Sequence, residues 1–401
     1  MKKIMILGAS ILQVPAIVKA KELGLYVIGV DQNPEAVGFS YCDMNLTIST
    51  IDQEKVYQEA LRIRPDIIIT STSDAPVRTV SYVNEKMGKP TDISYEDSLF
   101  VTNKAFMRKR LQEHSIPIPE FYIVNDYDDL LNVSSHFNDR FILKPADNAG
   151  SRGVRLVNLE SSDQLWDTFK YCRQYSRSGT LLAEEYLKGA EVSVEAFTVN
   201  GETRIVAITD KMVTPPPFFV ELGHIEQSEL DEDTKKSIAA LAIDTIRAVN
   251  IRNGPSHTEI KITDKGLKVI EIAARLGGDF ITSRLVPLAT GIDLVECSIM
   301  QALGKLLDLE QKFNRGAAIR FIHSNGKRGR LTEITGIDRA NNISGIEEIT
   351  IYRKIGDELN GLESSNDRIG HIISSATTAA EASSICEQAI GLIKSNFDTN
   401  F

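Results

Sequence analysis

The sequence predicts a mixed α/β and α+β protein: a parallel α/β unit first, a central α+β region, then a small α+β tail. Three observations carry this. An apolar run at 3–7, a helical pattern at 14–23 and a second apolar run at 26–30 follow one another, the order of a parallel strand–helix–strand unit. Two hairpin patterns, 192–209 and 257–274, flank an amphipathic helix at 232–249. From Gly316 the texture changes to short strands and turns, closed by a helix at about 377–395. The expected divisions are 1–100, 101–315 and 316–401.

In the first unit, the run 3–7 ends at Gly8 and the run 26–30 ends in Asp31. A helix at 53–63 and a further strand at 66–70 lead into Ser71-Thr72-Ser73-Asp74. A dinucleotide fold needs G-x-G-x-x-G in the first turn. Gly8-Ala9-Ser10-Ile11-Leu12-Gln13 supplies one of those glycines, which argues against a nicotinamide-dependent oxidoreductase. Gln13 and Asp31 are ligand contacts or turn and cap residues.

The stretch 98–114 reads as a helix with Thr102 or Asn103 near a start and Lys104 in an early turn; Pro117 and Pro119 end it. The strand at 141–143 closes on Lys144-Pro145 and opens a small polar loop, 147–153, holding Gly150 and Gly153. Such a loop exposes N–H groups that can wrap phosphate oxygens, with Lys144 adding a point charge. It is not a Walker A loop, and a plain hairpin has the same composition. A strand from 180 runs into Glu184-Glu185-Tyr186-Leu187. The hairpin at Asn200-Gly201 is expected to return over 203–209, with Lys211 beyond it, a phosphate contact or a surface lysine. Thr214-Pro215-Pro216-Pro217-Phe218-Phe219 cannot continue a sheet and reads as a stiff loop, with Phe218 or Phe219 available to an apolar substrate side chain.

The central hairpin, 257–278, organises the rest. Asp264-Lys265-Gly266 is turn chemistry. A three-residue loop pairs Thr263 with Leu267, and counting outward sets Glu259 opposite Glu271. Like charges directly across a ladder destabilise it, so something should offset them. A hard cation such as Mg²⁺, or Mn²⁺ in its place, takes oxygen ligands and keeps phosphates in its shell. A solvated pair of glutamates is the other reading. Arg275 and Gly277-Gly278 follow at once.

Composition bounds the function classes. The 401 residues suggest two or three domains, and a net charge of −10 argues against nonspecific binding to nucleic acid or to an anionic membrane. The four cysteines are scattered, with no C-x-x-C, so neither a zinc site nor a disulfide framework is expected. No stretch approaches 18 apolar residues, and 4–7 is too short a run for a signal peptide. A cytoplasmic protein is expected.

The order of these motifs resembles the ATP-grasp superfamily of carboxylate–amine ligases over residues 1 to about 315. It consists of a small α/β unit, Lys104, Lys144 with its glycine loop, the acidic strand end 184–187, Gly189-x-Glu191, and Glu259…Glu271-x-x-x-Arg275. Phe219-Val220-Glu221-Leu222-Gly223-His224, the run 271–278 and the tail turn 368–373 are similar to the branch that joins L-amino acids into dipeptides. Biotin carboxylase and the purine-pathway ligases share the plan. The resemblance implies an ATP-grasp fold of two α+β lobes, with the nucleotide lobe at about 115–190. Lys104 and Lys144 would neutralise the ATP phosphates. Asn148, Gly150, Ser151 and Gly153 would belong to the loop that closes over them. Glu184, Glu185 and Leu187 would lie at the adenine, Glu191 at the ribose hydroxyls, and Glu259 and Glu271 at Mg²⁺. Arg275 would face the acylphosphate. The usual pattern has Asn two residues after the second glutamate, where this chain has Ala273, which leaves the metal count open.

The expected activity is therefore that of an ATP- and Mg²⁺-dependent ligase acting on a small carboxylate and an amine, with an amino acid ligase favoured. A formate- or bicarbonate-using enzyme and a non-catalytic ATP-binding regulatory module are the alternatives. His224 is either an acid/base group or structural, and His257 is read as structural. Arg284 is either a substrate-carboxylate contact or a helix-face ion pair. Neither a nucleic-acid nor a membrane partner is expected, and a homodimer is the assembly that the resemblance implies.

Overall fold

The structure is a computed structural model and describes residues 1–159 and 164–399. It opens with β1 (Lys3–Leu7), β2 (Tyr26–Asp31), β3 (Met44–Thr47) and β4 (Ile67–Ile69), a parallel sheet in the order β3-β2-β1-β4. Burial on both faces explains why β1 and β4 are continuous apolar runs rather than alternating ones. The intervening helix Gln53–Ile63 starts where the Asp52 side chain accepts from Lys55 N–H, and ends at Arg64 in the left-handed region. Asp31 caps its own turn, accepting from the N–H groups of Ala9 and Asn33.

The expected helix at 98–114 is broken in two. Leu99–Thr102 ends at Asn103, whose extended backbone and side chain cap a new helix, Lys104–Glu113. The break makes Lys104 a first-turn residue, and its N–H donates to Ala146 O at 2.7 Å. That bond ties the helix start to the strand that carries Lys144.

A second sheet of four strands comprises β5 (Phe121–Val124), β6 (Arg140–Pro145), β7 (Arg155–Asn158) and β8 (Leu181–Glu185), in the order β5-β8-β6-β7. Next come β9 (Ala190–Val199), β10 (Glu202–Val213), β11 (Glu221–Glu226), β12 (Gly254–Thr263) and β13 (Gly266–Ala273). The tail supplies β14 (Gly316–Ile322), β15 (Arg328–Thr335), β16 (Ile346–Ile351), β17 (Glu358–Asn360), β18 (Gly370–Ala376) and β19 (Lys394–Asp398).

One sheet of eight strands runs β13-β12-β9-β10-β11-β14-β18-β16. Residue 316 is thus no break in the sheet: β14 pairs with β11 on one side and β18 on the other. All seven residues of β14 are buried, as a central strand requires. Only β15, β17 and β19 form a sheet of the tail's own. The closing helix is shorter than expected, Ala379–Leu392, and the chain leaves it as β19.

Two details of register matter for the site. β10 does not stop at 209 but runs to Val213, so Lys211 lies within a strand, opposite Glu191 on β9. The β12–β13 turn holds two residues, not three, because Thr263 pairs with Gly266. A bulge then restores the lost residue: Ile260 pairs with Val269, Ile270 is extra, and Glu259 faces Glu271.

Candidate active site

A cavity of about 710 Å³ lies where the loop after β4, the start of the helix Lys104–Glu113, the 147–152 loop, the end of β8 and one face of the eight-stranded sheet converge. Alternation puts Glu191 of β9, Lys211 of β10, His224 of β11 and His257, Glu259 and Lys261 of β12 on that face, since cross-strand partners share a face. The hairpin adds Glu271 and Arg275.

Charges here are interleaved. Lys104 Nζ donates to Glu271 Oε1 at 2.8 Å and to Asn148 O at 2.8 Å, joining the hairpin to the glycine loop. Lys211 Nζ lies between Glu191 Oε1 at 2.8 Å and Glu259 Oε1 at 2.6 Å, with its side chain 4% exposed. It is not a surface lysine; Thr209, Lys211 and Val213 continue the strand alternation that would have shown this. Burial alone lowers the Lys211 ammonium's pKa, and Glu191 and Glu259 reverse that and hold it well above the usual lysine range. Burial likewise raises the Glu259 carboxyl, and Lys211 and His257 overturn it to well below the usual range. His257 is buried, donating from Nδ1 to Glu195 Oε1 at 2.6 Å with Nε2 3.4 Å from Glu259 Oε1. Burial lowers its pKa, but the Glu195 charge dominates and raises it to about 9.

Beneath the small sheet lies a buried triad that spacing did not suggest. Arg108 Nε and Nη2 donate to the two Glu184 oxygens at 2.8 and 3.2 Å, and Lys144 Nζ meets Glu184 Oε2 at 2.7 Å. Arg108 Nη2 also donates to the carbonyl of the bulged Ile270 at 2.7 Å. Burial raises the Glu184 carboxyl, and Arg108 and Lys144 outweigh it, leaving it at about 2. Both Glu184 oxygens are thus taken by Arg108 and Lys144, and Lys144, Glu184, Glu185 and Leu187 all line the cavity. Glu185 is held by Lys268 at 2.9 Å.

In the glycine loop, Gly150 has φ +67 with nothing near a would-be Cβ, and Ser151 Oγ donates to Phe219 O at 3.0 Å. Gly153 is outside the cavity lining; a Cβ there would come within 2.7 Å of Tyr175 Cβ and 2.9 Å of Pro145 Cγ, so its bareness serves packing.

Two residues, Arg368 and His224, meet at Asp279, itself in the left-handed region at φ +52. Arg368, from the tail, donates to both Asp279 oxygens at 2.7 and 2.9 Å and to Glu221 O at 3.0 Å. His224 Nε2 is 3.2 Å from Asp279 Oδ2. Burial raises the Asp279 carboxyl, but Arg368 and His224 keep it ionised, far below the usual range. An ionised carboxylate only accepts, so Nε2 donates to it, while Nδ1 is buried without a hydrogen-bond partner. Arg284 is not brought to the cavity; it pairs with Glu348 at 3.1 Å, across elements rather than along a helix. Asp74 and Arg275 form a further pair, described below.

Glu259 and Glu271 are placed so that they could hold a hard cation, with phosphates supplying its remaining oxygens. The two carboxylates are opposed as that requires, and no group of three or more His, Cys, Asp and Glu is placed for a protein-only metal site among the described residues.

A four-stranded lobe, a charged sheet face and a glycine loop around one cavity define a class: ATP-dependent ligases built on the ATP-grasp fold. Residues 137–283 match the ATP-grasp domain family, and 320–398 match the L-amino acid ligase C-terminal domain 2 family. The chain thus carries an ATP-grasp domain and an L-amino acid ligase C-terminal domain. It is 28% identical over 329 residues to the uncharacterized protein y4rH of Sinorhizobium fredii, covering 80% of this chain and 66% of that one. To the L-arginine-specific L-amino acid ligase of Bacillus subtilis it is 24% identical over 314 residues, covering 77% and 75% of the two chains. The L-amino acid ligase structure from Bacillus licheniformis superposes with a TM-score of 0.85 at 19% identity, covering 99% of each chain.

Proposed function

We propose that this protein is an ATP- and Mg²⁺-dependent ligase that converts an amino acid's carboxylate into an acylphosphate and joins it to the amine of a second amino acid. The observation that carries the reading is the opposed pair Glu259 and Glu271, flanked by Lys104 and Lys211 in one cavity with Lys144 and Arg275. The family of the tail, and the relative that acts on L-arginine, support the amino acid branch.

Phosphoryl transfer needs positioning and charge neutralisation more than covalent chemistry. Mg²⁺ held by Glu259 and Glu271 supplies charge neutralisation at the phosphates. Lys104 and Lys144 serve the phosphates, and the 147–153 loop excludes water that would hydrolyse the acylphosphate. Glu184, Glu185 and Leu187 meet the adenine through main-chain groups, and Glu191 meets the ribose. The carboxylate oxygen attacks the γ-phosphorus and ADP leaves; the amine then attacks the acyl carbon and phosphate leaves. Arg275 stabilises the acylphosphate. His224, enclosed against Asp279, is given an orienting role rather than that of a proton carrier. The divisions near residues 100 and 315, the second falling inside one continuous eight-stranded sheet, a homodimeric assembly and a cytoplasmic location belong to the same proposal, supported by the resemblance.

The test is phosphate release from ATP and Mg²⁺ across a matrix of amino-acid pairs, with bicarbonate and formate included and Glu271→Ala as blank. Release that needs two amino acids supports the proposal. Release that needs bicarbonate or formate moves the protein to the carboxylating or formyl-transferring ligases.

A further inference from the structure

We propose that Asp74 selects α-amino acids as the carboxylate substrate, holding Arg275 in place and receiving the substrate's α-ammonium group. The inference rests on the ligase reading above, and names a residue of the first α/β unit as part of the acyl-donor site.

Asp74 comes from the loop after β4 and lies 201 residues from its partner in the chain. Arg275 Nε donates to Asp74 Oδ1 at 2.7 Å and Nη2 to Oδ2 at 3.1 Å, while Nη1 donates to Leu276 O at 3.0 Å. A guanidinium has five N–H donors. Three are used here, which leaves one on Nη1 and one on Nη2, and no described residue takes either. Those two can hold a carboxylate or an acylphosphate in bidentate fashion. Asp74 and Arg275 both line the cavity, so the free edge belongs to a residue that a substrate can reach.

The loop is built to stay where it is. Gln13, itself buried, donates its amide to Thr72 Oγ1 and Ser73 Oγ at 2.8 Å each. On the other side Leu276 N–H donates to Ser71 O at 3.1 Å. The loop is fastened both to the first βα turn and to the residue after Arg275.

A substrate carboxylate on the free edge of Arg275 shares Nη2 with Asp74. Two carboxylates on neighbouring donors repel each other, which disfavours a plain carboxylic acid. An α-amino acid brings its own cation, two bonds from its carboxylate carbon, and that cation can bridge to Asp74. Lys104 nearby is already bonded to Glu271 and to the Asn148 carbonyl. Burial opposes ionisation of Asp74, but Arg275 overcomes it and keeps the carboxylate charged.

The experiment compares glycine and each standard L-amino acid with its des-amino acid, L-alanine with propionate for example, as donor in ATP- and Mg²⁺-dependent phosphate release. Amino-acid acceptors are held constant. The wild type is expected to prefer the amino acid in kcat/KM. Asp74→Asn keeps the shape and loses the charge, and should lower that preference by about 30-fold, the scale of one charge-assisted hydrogen bond, with the KM for ATP unchanged. If Asp74→Asn does not fold, Asp74→Glu is read instead, where the displaced charge should lower the preference by about fivefold. An unchanged preference in the variant, or equal losses for both acids together with a raised KM for ATP, overturns the inference in favour of a domain-fastening ion pair. A wild type that uses carboxylates but ignores the α-amino group overturns it alone. A wild type with no carboxylate-dependent release overturns the ligase reading and this inference with it.

Discussion

Glu259 and Glu271 face each other across the β12–β13 hairpin because Ile270 bulges out of register between them and the turn. The turn is one residue shorter than the loop needed for that pairing, and the bulge adds the residue back. Ile270 then donates nothing to the pair itself; its carbonyl accepts from Arg108, which is bonded to Glu184, which is bonded to Lys144. The acidic pair and Lys144 are thus tied to one buried network.

Removing Arg108 should therefore do more than empty a space. Arg108→Leu leaves Glu184 with one partner in a buried setting and releases the bulge carbonyl, and should destabilise the protein by about 3–5 kcal/mol. Urea unfolding measures it. A change within about 0.5 kcal/mol, the range of an ordinary surface substitution, would mean the network has no structural role.

Glu184 also sets an acid limb. Its folded pKa is about 2, below the unfolded value near 4.3, so its contribution is present above about pH 4.3 and is lost as pH falls towards 2. Integrated over that window it is about 3 kcal/mol. The stability gap between wild type and Glu184→Gln should narrow steadily over the same window. A gap independent of pH would contradict the assignment.

Asp92 has the opposite sign. Burial raises its pKa to about 6, so the folded state binds the extra proton and stability falls as pH rises from the unfolded value through 6. Asp92→Asn removes that cost. Because the side chain is only half-buried, the gain at pH 8 should be about 1 kcal/mol rather than the full shift, vanishing near pH 4. Thermal unfolding at the two pH values checks it.

Lys211 supplies a test of the charged sheet face. Lys211→Met keeps the apolar stem and removes the cation between Glu191 and Glu259. The freed carboxylates should repel the nucleotide, raising the KM for ATP by about tenfold or more. Unchanged nucleotide kinetics would place Lys211 outside the site.

Much of this was legible in the sequence for a physical reason: its signals are local. Strand alternation, the Asn200-Gly201 turn and the two glutamates of one hairpin depend on neighbours a few residues apart. Lys104 and Lys144 were legible by their places in a motif order. What was hidden is the pairing between distant segments. Arg108 meets Glu184 76 residues on, Asp279 meets Arg368 89 residues on, and Asp74 meets Arg275 201 residues on. The tail's strands looked like a separate unit because nothing in GAAIRFI says that its partner is β11. Lys211 was partly legible; extending the alternation of β10 by four residues, from 209 to 213, puts it on the site's face.

The most direct test of the central claim follows oxygen. An amino acid labelled with ¹⁸O in its carboxylate is turned over with ATP, Mg²⁺ and a second amino acid, and the released phosphate is weighed by mass spectrometry. Activation as an acylphosphate moves one labelled oxygen into each phosphate and none into ADP. Unlabelled phosphate, or label appearing in AMP, would contradict the account.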